Sequence, residues 1–179
     1  MTSLLDKFPA VEQLKSGLDL AGQDPTGVVF DTIRSATEAV VNGRDIILAG
    51  TNTYLGLTFD TACIEAGVEA LVQRGTGTTG SRMANGSYAS HGALEAELAD
   101  FYQCKNAMIF STGYAANLGV LTALLGKGDV VLLDSDAHAS LHDGCRMSGA
   151  DIYRFKHNDV ASLERRLVRL ADRARRCLV

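Results

Sequence analysis

No two of the four cysteines, Cys63, Cys104, Cys145 and Cys177, form a Cys-x-x-Cys pair. That argues against a zinc knuckle or a disulfide frame and suits free thiols in a reducing compartment. A basic excess is also missing, since 17 Lys and Arg stand against 21 Asp and Glu, a net charge of -4. Nothing in that balance tracks a phosphate backbone, and no nucleic-acid partner is expected. The segment Met1–Ala10 lacks the apolar h-region of a signal peptide, so the expected location is cytoplasmic. Charge is absent from Asn106 to Gly126, a run long enough to span a bilayer. However, Asn106, Ser111, Thr112, Gly113, Asn117, Gly119 and Thr122 interrupt it, so a buried strand, turn and helix are expected there and no transmembrane segment. Proline is scarce, 2 residues beside 18 glycines. Glycine at that level serves tight turns and close backbone approach to ligands. What is present is ordinary for a folded soluble chain: 179 residues, 46% hydrophobic and 21% charged, about one domain's worth with room for a core.

Apolar residues Leu4, Leu5, Phe8, Val11, Leu14 and Leu18 recur at three- and four-residue steps, so the first twenty residues read as an amphipathic helix. A turn is expected at Asp24-Pro25, extension over Val28 to Ile33, and a hairpin at Asn42-Gly43, where both residues tolerate positive φ. Asp60 is placed to cap a helix reaching Arg74, with Ile64, Val68, Leu71 and Val72 facing inward. From His91 the pattern alternates regularly. A helix runs to Gln103, followed by the strand Ala107–Phe110, a helix from Gly113 to Leu125 and the strand Asp129–Leu133. A short helix to Ser148, the strand Asp151–Phe155 and a helix from Val160 to Arg176 complete the series. Such a succession indicates an α/β fold with a mostly parallel sheet and flanking helices. Cys177-Leu178-Val179 reads as the opening of another buried strand, and the expectation is therefore a truncated chain.

Three segments carry possible chemistry. Gly75-Thr76-Gly77-Thr78-Thr79-Gly80 matches the dinucleotide pattern, but a helix precedes it where that pattern needs a strand. A mobile glycine loop and a loop closing over some other ligand both remain open. Ser111-Thr112-Gly113-Tyr114 stands where an apolar strand hands over to a helix, whose first N–H groups and dipole suit a phosphate, with Gly113 admitting the anion to the backbone. Simple N-capping by Ser111 or Thr112 fits equally well. His138 follows a strand's carboxyl end, where ligands gather in open α/β sheets. It could serve a ligand site or merely cap the next helix. A metal at His138, His142 and Asp136 is disfavoured because Ala139 stands where a zinc-protease helix carries Glu. His91 and His157 are expected to cap helices or face solvent.

In order and spacing, Asn52-Thr53-Tyr54-Leu55-Gly56, Gly75 to Arg82, Phe110 to Tyr114, Asn117-Leu118-Gly119, Asp136 to Ser140 and His157-Asn158-Asp159 resemble the α-oxoamine synthases. These are pyridoxal-phosphate enzymes of fold type I, the aspartate aminotransferase-like class. The glycine segment with Asn85-Gly86, and Ser111 to Tyr114, are most similar to the branch that condenses L-serine with a long-chain acyl-CoA.

The resemblance implies a decarboxylative condensation giving a 3-oxo sphingoid base, CoA and carbon dioxide. Glycine or alanine as the amino acid, or a non-catalytic subunit that only dimerises, are the alternatives. It implies pyridoxal 5'-phosphate as cofactor, with Gly113 and Tyr114 amides on its phosphate and His138 stacked on its ring and bonded to the substrate as a catalytic residue. Asn52 and Tyr54 would bind the amino acid, no metal is called for, and the glycine loop would reach the other subunit of a homodimer. Residues 1–55 would form an N-terminal helix and hairpin segment, and 56–179 the first part of the large cofactor domain. Thr53 departs from the Asn or Asp usual before the Tyr. None of the five lysines, Lys7, Lys15, Lys105, Lys127 and Lys156, stands in the family's lysine motif. The lysine that tethers the aldehyde and the aspartate that keeps the ring an electron sink are thus expected beyond this region.

Overall fold

The computed structural model describes residues 8–20 and 27–179, without the side chains of residues 10, 19, 20 and 174–176. They form two compact units, Met1–Thr78 and Thr79–Val179.

In the first unit, α1 spans Pro9–Leu20. Its expected beginning at Leu4 and Leu5, and the Asp24-Pro25 turn, lie outside the described residues. The antiparallel strands β1 (Thr32–Ile33), β2 (Glu38–Val41) and β3 (Arg44–Ile47) follow in sheet order. Of the extended stretch expected from Val28, only Thr32 and Ile33 pair. Asn42 and Gly43 join β2 to β3 with φ of 50° and 71°, the left-handed pair that a two-residue hairpin turn requires. Helix α2 (Thr61–Arg74) starts where the Asp60 side chain accepts the Cys63 N–H at 3.0 Å. The expected burial of its stripe is not seen. Ile64, Val68, Leu71 and Val72 are all exposed, because α2 packs against little more than the 3₁₀ turn Leu57–Phe59 before it.

The second unit opens with a turn that folds back on itself. Gly86 donates to the Ser81 carbonyl at 2.8 Å, and a Cβ at Gly86 would lie 2.1 Å from the Gly80 carbonyl oxygen. Gly86 cannot carry a side chain without opening the turn. Arg82 then bonds Ser87 at 3.0 Å and Glu95 at 2.9 Å, tying the turn to α3 (Ala89–Phe101). Glu95 also accepts the Ile109 amide at 3.1 Å. That amide, followed by the cation of Arg82, holds the carboxyl below its ordinary pKa. The segment 107–110 is no strand. It has no ladder partner among the described residues, and the Phe110 ring instead lies on Gly119, 2.8 Å from where a Cβ would be.

Helix α4 (Gly113–Leu124), β4 (Val130–Asp134), α5 (Ala139–Ser148), β5 (Asp151–Phe155), α6 (Val160–Leu170) and β6 (Cys177–Leu178) follow. The strands are parallel in the order β5-β4-β6. The single helix expected to reach Arg176 stops at Leu170. Ala171, at φ 46°, breaks the ladder, and a 3₁₀ turn continues over Ala171–Arg176. Strand β4 is covered on both faces, which explains its unbroken apolar run. Alternate residues Val131 and Leu133 pack with Leu121 and Cys145, while Val130 and Leu132 pack with Leu170, Leu163 and Leu167. This core fixes the carboxyl end of β4, where the candidate site lies.

Candidate functional site

The chain leaves β4 at Asp134 and reaches His138 four residues later, so His138 stands at the carboxyl end of the central strand. It is also the N-cap of α5, its Nδ1 accepting the Ser140 N–H at 3.2 Å. The capping role expected as one alternative is therefore real, yet it occupies only Nδ1. No described residue takes Nε2. Ser140 is fully buried, and its Oγ lies 2.7 Å from His138 Nδ1 and 2.9 Å from Asn117 Nδ2.

Asn117 belongs to the second turn of α4, so this chain of contacts brings the amino end of α4 beside His138. The helices come close because Gly144 has no side chain. A Cβ there would stand 2.8 Å and 3.1 Å from Leu121 atoms and 3.3 Å from the Asn117 carbonyl oxygen. One turn further along, Tyr114 Oη donates to Asp143 Oδ2 at 2.5 Å, tying the first turn of α4 to α5. That carboxylate, chiefly through the hydrogen bond, raises the Tyr114 pKa above its ordinary value.

Thr112, not Ser111, caps α4, its Oγ1 accepting the Ala115 amide at 3.1 Å and its carbonyl the Ala116 amide at 3.0 Å. The Gly113 and Tyr114 amides precede both and have no partner among the described residues, as expected of a helix's first positions. A Cβ at Gly113 would meet nothing within 4 Å. Open space adjoins two unpaired amides at the positive end of a twelve-residue helix, a donor set that fits a phosphate.

Asp134 anchors the loop from below. Its carboxylate accepts the Asp136 amide at 2.9 Å, the Asn158 amide at 3.0 Å and His157 Nδ1 at 2.9 Å. The Asn158 amide, then that of Asp136, then His157 lower its pKa to about 2. The same pair raises the pKa of His157. His157 faces solvent, one of the two outcomes expected for it, and in addition braces the β4–α5 loop to the β5–α6 loop. His91 does cap, accepting the Tyr88 amide at 3.0 Å.

The structure brings Gly113, Tyr114 and His138 together. Asn52 and Tyr54 belong to the other unit and touch each other, Tyr54 Oη donating to Asn52 Oδ1 at 3.3 Å. Among the described residues no three His, Cys, Asp or Glu side chains gather to hold a metal ion. Nor is any helix there long and apolar enough to cross a membrane. Four residues that build the site carried no assigned role in the sequence reading: Asn117, Ser140, Asp134 and Asp143. Asn117 and Ser140 fall within segments that carried the resemblance, Ser140 two residues beyond His138 and Asn117 one turn after Gly113, and no such signal marked Asp134 or Asp143.

The model of aminotransferase class I and II matches residues 44–179. The chain belongs to this family. Among class I and II relatives, it is similar to a serine palmitoyltransferase of Caulobacter vibrioides, 54% identical over 94% of this chain and 42% of the relative. The enzyme of the same name from Sphingomonas paucimobilis is 49% identical over 93% of this chain and 40% of its own. A solved structure of serine palmitoyltransferase from S. paucimobilis, with a bound pyridoxal phosphate–myriocin aldimine, superposes with a TM-score of 0.88. It is 48% identical, over 94% of this chain and 43% of that one. The expected fold type I class therefore holds for this chain. The chain spans about two-fifths of the length of the curated relatives it matches.

Proposed function

We propose that the whole protein to which this chain contributes is a pyridoxal-phosphate-dependent acyltransferase that condenses L-serine with a long-chain acyl-CoA. CoA, carbon dioxide and a 3-oxo sphingoid base would be its products. One observation carries the reading: the Asn117–Ser140–His138 contacts seat an imidazole beside the open amino end of α4. That is a flat ring next to a phosphate-type donor set, as a phosphorylated pyridine aldehyde requires. When bound, the cofactor draws electrons from the amino-acid α-carbon.

This chain's residues supply the rest. The Gly113 and Tyr114 amides hold the phosphate without a counter-charge. His138 would lie against the ring, with its Nε2 available to the substrate carboxylate or the developing oxyanion. The resemblance assigns amino-acid binding to Asn52 and Tyr54, already paired with each other, with Thr53 between them as a determinant of amino-acid choice. Residues 1–55 serve as a helix and hairpin segment, and 56–179 open the cofactor domain. The Gly75–Ser87 segment reaches toward the other subunit of a homodimer, and the enzyme works in the cytoplasm on soluble substrates. Similarity to serine palmitoyltransferases over 94% of the chain supports L-serine over glycine or alanine.

The test is amino-acid-dependent release of free CoA thiol from palmitoyl-CoA by the whole protein. L-serine should support it well above glycine and L-alanine, and His138→Ala should abolish most of it while cofactor still binds. Faster release with glycine or alanine would replace serine in the reading. Unchanged turnover in His138→Ala would remove His138 from the site.

A further inference from the structure

We infer that a buried Asn117–Ser140 relay sets the ring tautomer of His138, so that Nε2 always presents a proton to the ligand and recognises only an acceptor there. This rests on the reading of His138 as a site residue and adds two positioning residues to it, Asn117 and Ser140. One of the groups on His138 Nδ1 is a donor that cannot reverse. The Ser140 backbone N–H points at Nδ1 across 3.2 Å, so Nδ1 must offer its lone pair, and the neutral ring carries its proton on Nε2. The Ser140 hydroxyl lies 2.7 Å from the same nitrogen. Facing a lone pair at that distance, it must donate. Its oxygen then has only lone pairs left, and these accept from Asn117 Nδ2 at 2.9 Å.

Each step forces the next, and Ser140 is 0% exposed, so no water can substitute for either partner. An exposed imidazole exchanges tautomers freely, whereas this one is held with a donor outward. A carboxylate or oxyanion oxygen is accepted at Nε2, and an ammonium or amide N–H is refused.

The experiment uses the whole protein without cofactor, labelled with ¹⁵N-histidine, with His138 assigned by its loss in His138→Gln. Long-range ¹H–¹⁵N spectra should show the proton on Nε2 and a bare Nδ1. Asn117→Asp is nearly isosteric but reverses the relay. The introduced carboxylate takes the hydroxyl hydrogen of Ser140 and turns an oxygen lone pair on Nδ1 at the shorter of its two contacts, 2.7 Å against 3.2 Å for the Ser140 amide, so the form protonated on Nδ1 should become populated. With cofactor present, that variant should lose on the order of ten- to a hundredfold in kcat/KM for the amino acid, the worth of one hydrogen bond to a charged group. Cofactor affinity should be unchanged. A wild-type proton on Nδ1 overturns the relay, whatever the variant does. An unshifted tautomer in a folded Asn117→Asp protein would leave the Ser140 amide alone as the group that fixes the ring, and would overturn the relay. A shifted tautomer with full kcat/KM leaves the relay standing and refutes instead the placement of His138 against the substrate.

Discussion

Asp134 shows how one side chain holds a loop in place, and its chemistry can be followed with pH. Its folded-state pKa lies at about 2, below the ordinary 3.8. The stabilisation it gives is therefore whole above about pH 4 and lost as pH falls through 2. The pKa of His157 lies above the ordinary 6.5. Its share is whole below 6.5 and lost as pH rises through the raised value. Asp134→Asn should lower the His157 pKa in an NMR titration and flatten the pH dependence of the melting temperature at both ends. An unmoved His157 titration would show that the brace is absent in solution. The sequence displayed the individual members of this site but not their pairings. His138 stood out because it follows a strand, and Gly113 because it opens a helix after Ser111-Thr112. Asp134 and His157 are 23 residues apart, and Asn117 and Ser140 likewise. Only the parallel ladder and the α4–α5 contact place them together, and no local pattern encodes that.

At the level of elements, the α4–α5 pair decides whether the site exists at all, and Gly144 decides how close the pair can come. A Cβ would press on the Leu121 Cβ at 3.1 Å and the Asn117 carbonyl oxygen at 3.3 Å, neither of which can swing away as a side-chain tip can. Gly144→Val should cost about 1–3 kcal/mol, the usual penalty for overpacking. It should also weaken cofactor binding, because it pushes the amino end of α4, with the Gly113 and Tyr114 amides, away from α5. Val130→Ala, in the core on the other face of β4, should cost stability through its cavity with little effect on cofactor affinity once folded. Equal effects on affinity would separate α4–α5 spacing from the site. Elements whose signal is local were legible: the Asn42-Gly43 turn, the Asp60 cap, and β4, whose apolar run reflects cover on both faces. Ala107–Phe110 has the composition of a strand but lacks a ladder partner among the described residues, and a ladder is a property of two segments. The stop at Ala171 was equally invisible, since no glycine or proline marks the positive φ at which the helix ends.

Across the whole molecule the distribution of apolar surface is the dominant physical fact. The two core clusters of the second unit are built around β4. Elsewhere large apolar side chains stand in solvent: Ile47 82%, Leu55 82%, Val72 80%, Met83 98% and Phe101 77% exposed. Helix α2 has a continuous stripe, because Ile64, Val68 and Leu71 fall at i, i+4 and i+7 on one face. Soluble monomers rarely leave such surface uncovered. The 179-residue chain by itself should therefore associate with rising concentration, its scattering-derived mass growing over the micromolar range. A charge on the stripe should oppose this without touching the core, since Val68 is 55% exposed and an exposed helix position costs little to change. Val68→Lys should shift the onset of association to higher concentration while leaving the melting temperature nearly unchanged. A monomeric chain at every concentration would mean that the stripe is covered in solution. A Val68→Lys protein that unfolds would show the same, by placing Val68 in a core.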